Sequence, residues 1–80
     1  MIRRHKQPRV VITFHTTAEA FRMEKAAREH GFSGRLIPVP REITAGCGLA
    51  WRDEPEQEEN LRAMMAQEGI SCEEMRVLTL

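Results

Sequence analysis

Tyrosine is absent from this 80-residue chain, tryptophan occurs once and phenylalanine three times, so aromatics make up only 5% of it. A nucleic-acid face built on several stacking rings has too few rings to draw on. Net charge is missing as well: twelve Lys and Arg balance twelve Asp and Glu. That balance excludes a uniformly basic nucleic-acid binder. Long apolar runs are lacking too. The run Val10 to Phe14 falls short of the roughly 7–15 residues of a secretory core and the roughly 20 of a membrane span. A soluble, cytoplasmic protein is expected, with no membrane partner. Cysteine is scarce: Cys47 and Cys72 are too few for a secreted disulfide scaffold. In a reducing compartment each is a small buried hydrophobe or a reactive thiol.

What is present suits one small globular domain, with 41% hydrophobic and 30% charged residues. The basic segment 1–8 reads as a flexible N-terminal extension, and 9–80 as a single domain. The balanced charge hides a division. Nine of the twelve basic residues fall in 1–41, and nine of the twelve acids in 42–80. Such a division can orient a partner.

The β-branched and aromatic run Arg9 to Phe14 suits a strand. Thr16 and Glu19 have the spacing of a capping box, and Ala20, Met23 and Ala27 share one face of the helix that follows. Gly31 stands where that helix ends. Arg35 to Val39 reads as a second strand, which Pro38 confines to an edge. Gly48 to Arg52 reads as a third. Asp53-Glu54-Pro55-Glu56 has the acids and proline of a helix start. Leu61, Met64 and Met65 form its apolar stripe, and Gly69 ends it. Met75 to Leu80 is a last strand.

This order defines an α+β class: a ferredoxin-like β-α-β-β-α-β sandwich, with two helices on one face of a four-stranded antiparallel sheet in order 4-1-3-2. The ends of strands one and two then share a rim with the starts of strands three and four. His15, Thr16, the Pro40–Cys47 loop and Cys72 belong to that rim, with Arg35 and Arg41 expected near it. The last strand is apolar on both faces, so the open face of the sheet is expected to join a second copy in a homodimer.

The loop Pro40-Arg41-Glu42-Ile43-Thr44-Ala45-Gly46-Cys47-Gly48 carries the chemistry. A cysteine between two glycines has an approachable backbone, and glycines at positive φ let amide N–H groups converge on an anion. The thiolate is the nucleophilic form. Arg41, the Thr44 hydroxyl and the Gly46 and Gly48 amides are the candidates to stabilise it, with Cys47 as the reacting residue. The competing reading is a buried filler at a strand start.

At these residues the chain resembles the Se/S carrier protein-like family, short bacterial proteins. The resemblance runs from about Val11 to Ile70. It is strongest in Gly34-Arg35-Leu36-Ile37-Pro38 and in Pro40 through Leu49, where the family usually has Ser in place of Thr44. Its cysteine falls on Cys47, while Cys72 lies outside the motif. The resemblance implies a carrier holding a persulfide or selenopersulfide on Cys47, loaded by a cysteine desulfurase-like donor and unloaded by a selenium- or sulfur-using acceptor. Such exchange uses no metal or organic cofactor. It implies a thiol carrier or accessory protein rather than a stand-alone enzyme. The alternative is a non-catalytic, dimeric regulatory or interaction module with an anion or docking site at the Gly-Cys-Gly loop.

His15 and Cys72 are auxiliary candidates, the first as a base and the second as a resolving thiol. One strand separates the strands of Cys72 and Cys47, about 10 Å of backbone against a limit of ~7 Å for a relaxed disulfide. A zinc site from His15, His30, Cys47 and Cys72 lacks any close ligand pair, and is rejected.

Overall fold

The computed structural model describes residues 6–43 and 47–80. Four strands form one antiparallel sheet: β1 (Pro8–Thr13), β2 (Arg35–Pro38), β3 (Leu49–Asp53) and β4 (Glu74–Thr79). Their order across the sheet is β2-β3-β1-β4, which is the expected 4-1-3-2 read from the other edge. Helix α1 (Thr17–Glu29) follows β1, and α2 (Glu58–Glu68) follows β3. The fold is α+β and ferredoxin-like. Among the described residues no helix is long and apolar enough to cross a membrane.

Local chemistry sets the helix ends. Thr16 is extended, and its side chain accepts from the Glu19 amide at 3.2 Å. The reciprocal half of the capping box is not made, because Glu19 Oε2 accepts from the Ser71 hydroxyl at 2.8 Å instead. At the other end of α1, Phe32 N donates to Ala27 O and Gly31 N to Arg28 O, with Gly31 at φ +82°. This left-handed closure satisfies carbonyls the helix itself leaves open. Helix α2 closes in the same way through Gly69 and Ile70, onto Ala66 and Met65. The segment read as its start divides in two. Pro55–Gln57 forms a 3-10 turn ahead of the helix, while Asp53 is the last residue of β3.

Strand alternation sorts side chains to two faces. Val10, Ile12, Trp51, Leu36 and Met75 face the helices, and pack with Phe14, Ala20, Met23, Ala27, Leu61, Met64 and Met65 into the main core. Trp51 is fully buried there. Its indole N–H donates to Asp53 Oδ2 at 3.2 Å, and Asp53 Oδ1 accepts from the Glu54 amide at 2.8 Å. Asp53 is therefore a buried, hydrogen-bonded strand residue; it does not act as a helix cap. Beyond the cores, α1 is tied to the C-terminal end of α2 by His30 Nε2 to Glu68 Oε2 at 2.9 Å and by Arg22 to the Glu68 carbonyl at 3.1 Å.

A second, smaller core lies on the opposite face: Val11, Ala50 and Ile43, with Ile37, Val39, Leu78 and Leu80 packed against them. Ile43 comes from the loop after β2. A turn in which Ile43 N donates to Pro40 O at 3.0 Å folds this side chain over Val11 and Ala50, both fully buried. Part of the open sheet is thus covered by the chain's own loop.

Candidate functional site

Cys47 stands two residues before β3, at the end of the sheet where β1 and β2 finish and β3 and β4 begin. Gly48 has φ +75°, a conformation glycine adopts without steric cost. It turns the chain so that Leu49 faces the preceding sulfur. The Leu49 amide donates to Sγ at 3.5 Å, and the thiol donates to the Leu49 carbonyl at 3.2 Å. The carbonyl contact exists only while sulfur keeps its proton; the amide contact serves thiol and thiolate alike. Cys47 is half-buried against the main core and is a free cysteine. Among the described residues, the amide found at the sulfur is that of Leu49, a strand residue with no side-chain signature for such a role. A cysteine followed by a glycine able to turn at positive φ was the available signal.

The other rim candidates are distributed more widely. Arg41 is exposed at the tip of the Pro40–Ile43 turn. Thr44 and Gly46 lie outside the described residues. Val39 N donates to Gly48 O at 3.1 Å, tying the loop's two ends together. His15 is exposed, with Nδ1 3.8 Å from Glu73 Oε2, so its charged neighbour belongs to the approach to β4.

Arg35 is not at this rim. It starts β2 and lies opposite Arg52, whereas the Cys47 end of the sheet is marked by the pair Pro38 and Leu49. The physical reason is direction: β2 runs toward the rim, so its first residue is its farthest.

Cys72 lies beneath α2 in a shallow recess with Arg62, Met65, Ala66, Ile70 and Met75. The strand β1 separates β4, which follows Cys72, from β3, which follows Cys47. Both cysteines are free. Burial pushes the Cys72 thiol above its ordinary range, with Arg62 and its own backbone amide opposing and Glu19 adding to the rise. The neutral thiol is thereby favoured. In a Cys47→Ser background, iodoacetamide labelling of Cys72 should accelerate only at a pH above that of an unfolded-peptide thiol. The stability sign follows. As pH rises through the unfolded value, the unfolded chain loses this proton first, so stability falls until the folded group also ionises. Cys72→Ala should remove that alkaline decline in urea titrations; equal slopes in both proteins would contradict it.

The class is now defined: a small ferredoxin-like domain bearing a thiol two residues ahead of β3, in contact with the backbone of that strand's first residue. Residues 9–76 match the family model described as "Putative Se/S carrier protein-like", and the chain belongs to that family. No curated protein and no solved structure matches it.

Proposed function

We propose that this protein carries sulfur or selenium on Cys47. The observation that carries the reading is a half-buried rim thiol whose polar contacts among the described residues are both to the backbone of Leu49, in a chain belonging to a family whose name states that role. Loading is a thiol–persulfide exchange. The Cys47 thiolate attacks the terminal sulfur of a donor persulfide. The donor's S–S bond breaks, the donor leaves as a thiolate, and Cys47-S-SH forms with no net oxidation. An acceptor thiolate then attacks the terminal sulfur and releases Cys47. With selenium the terminal atom is selenium, and the electron count is unchanged.

The Leu49 amide supports this exchange by remaining a donor to sulfur in each charge state. Donor and acceptor are proposed to be a cysteine desulfurase-like enzyme and a selenium- or sulfur-using enzyme. Incubation with a cysteine desulfurase and cysteine should add one sulfur atom to Cys47, visible by intact-mass and peptide spectrometry and removed by dithiothreitol. Cys47→Ser should lose the adduct entirely, while Cys72→Ser should keep it. An unmodified wild-type protein, or an adduct surviving in Cys47→Ser, would overturn the carrier reading.

A further inference from the structure

Positive charge gathers on the open face of the sheet, away from the helices. Register places Arg35 opposite Arg52, Arg52 opposite Val11, and Val11 opposite Arg76, so three arginines lie in one row across all four strands. Like charges directly opposite one another on a sheet are destabilising. Arg76 has Glu74 at 3.5 Å, and Arg9 in the neighbouring row has Glu54 at 3.1 Å. Among the described residues neither Arg35 nor Arg52 has a carboxylate within ion-pair distance.

These two arginines border a cavity of about 700 Å³ together with Lys6, Arg9, Ile37 and Leu80. The volume lies within the roughly 300–1,000 Å³ of small-molecule sites. Its lining has four cations and no acid. The apolar members belong to the second core or pack on it, giving the basic trough a firm floor. Pro38 and Pro40 form its end toward the Cys47 loop.

We infer that this trough binds a phosphate monoester of a small organic molecule, held through Arg35 and Arg52 with its organic part on Ile37 and Leu80. The charge fits. A phosphate monoester carries about −1.5 to −2 near neutral pH and three acceptor oxygens, enough for two guanidinium forks, whereas one carboxylate suits one fork. Single-stranded nucleic acid is a poorer match, because stacking on aromatic rings is a main source of its affinity. Phe14 and Trp51 are buried in the helix-side core, Phe32 packs against that core, and Phe21 is on α1. None of the Phe and Trp rings is therefore offered on the open face. A second copy of the chain, paired about a two-fold axis through this row, would bring the arginines against themselves.

Adenosine 5′-monophosphate serves as probe in an amide-resolved NMR titration of the full chain, with adenosine and inorganic phosphate as comparisons. Saturable shifts are expected at Arg35, Ile37, Arg52 and Leu80, weaker with either fragment of the probe. Arg35→Gln and Arg52→Gln should each reduce affinity about tenfold, the scale of one lost charged hydrogen bond. Arg52→Lys should fall between wild type and Gln, since charge remains and the fork is lost. Cys47→Ser should bind as wild type does, which separates this site from the carrier reading. Any of the following would overturn the inference: no saturation by millimolar probe, shifts unaffected by the Gln variants, or an octauridylate that binds far more tightly than the monophosphate. Concentration-dependent line broadening of the same residues without probe would also overturn it, by assigning the face to self-association.

Discussion

Gly34→Ala is expected to lower the urea midpoint by about 2–3 M, given a slope near 1 kcal/mol per M for so small a domain. Gly34 precedes β2 and runs close beneath the end of β3. A Cβ placed there would collide with the Arg52 carbonyl and lie 2.8 Å from Asp53 Oδ2. The first is main chain, so a side-chain rotation cannot relieve it. The Asp53 carboxylate is held by Trp51 and the Glu54 amide, which leaves it little freedom to retreat. Overpacking costs ~1–3 kcal/mol where neighbours can move, and here the upper end applies. Chains of this size have roughly 4–12 kcal/mol in total, so the variant should be visibly less stable at room temperature. Gly31→Ala makes an instructive contrast, since open space surrounds its Cβ and only the positive φ is strained. Its loss should be about 1 kcal/mol. Equal midpoints for Gly34→Ala and wild type would contradict the close approach.

Trp51→Ala should be the second severe change, costing about 3–5 kcal/mol. Trp51 is the largest fully buried side chain and stands in the middle of the helix-side core. Removing it opens a cavity between β3 and the helices, and leaves Asp53, 3% exposed, with one of its two donors gone. Trp51→Phe separates these effects. Most of the packing survives, while the hydrogen bond to Asp53 is lost, and the expected cost is about 1–3 kcal/mol. As the only tryptophan, Trp51 reports its own environment. Wild-type fluorescence should be blue-shifted and move red on unfolding. A native emission maximum at the position of free indole in water would contradict its burial.

Both expectations rest on a cluster that the sequence disguised. Asp53-Glu54-Pro55 has the composition of a helix start, and Pro55 does open a helical turn. Yet Asp53 belongs to the strand, because alternation from Trp51 carries it to the same buried face. Locally, cap and strand end look alike. What separates them is the indole donor across the face and the close passage of Gly34, neither of which is a nearest neighbour in sequence.

The candidate site was legible in part. Cys47 stood out through its flanking glycines, and Gly48 takes the positive φ that such a residue permits. The Leu49 amide that faces the sulfur among the described residues was not legible, since backbone amides carry no sequence label. Arg35 was expected beside the loop because it lies near it in the chain, but strand direction carries it to the far end of β2. There it meets Arg52, seventeen positions later in sequence.

The sequence by itself determined the elements and their order. Alternation, helical stripes, the Thr16 cap and the glycines at 31 and 69 act over a few residues, and such local preferences all agreed. It also determined that the thiol precedes a strand rather than lying in a helix. Tertiary structure alone decided which side chains face one another: Arg35 against Arg52, Ile43 over Val11 and Ala50, Asp53 under Trp51. These pairings depend on strand register, and register is fixed by burying both faces at once. A shift of one residue would exchange the two faces of a strand while leaving every local preference intact.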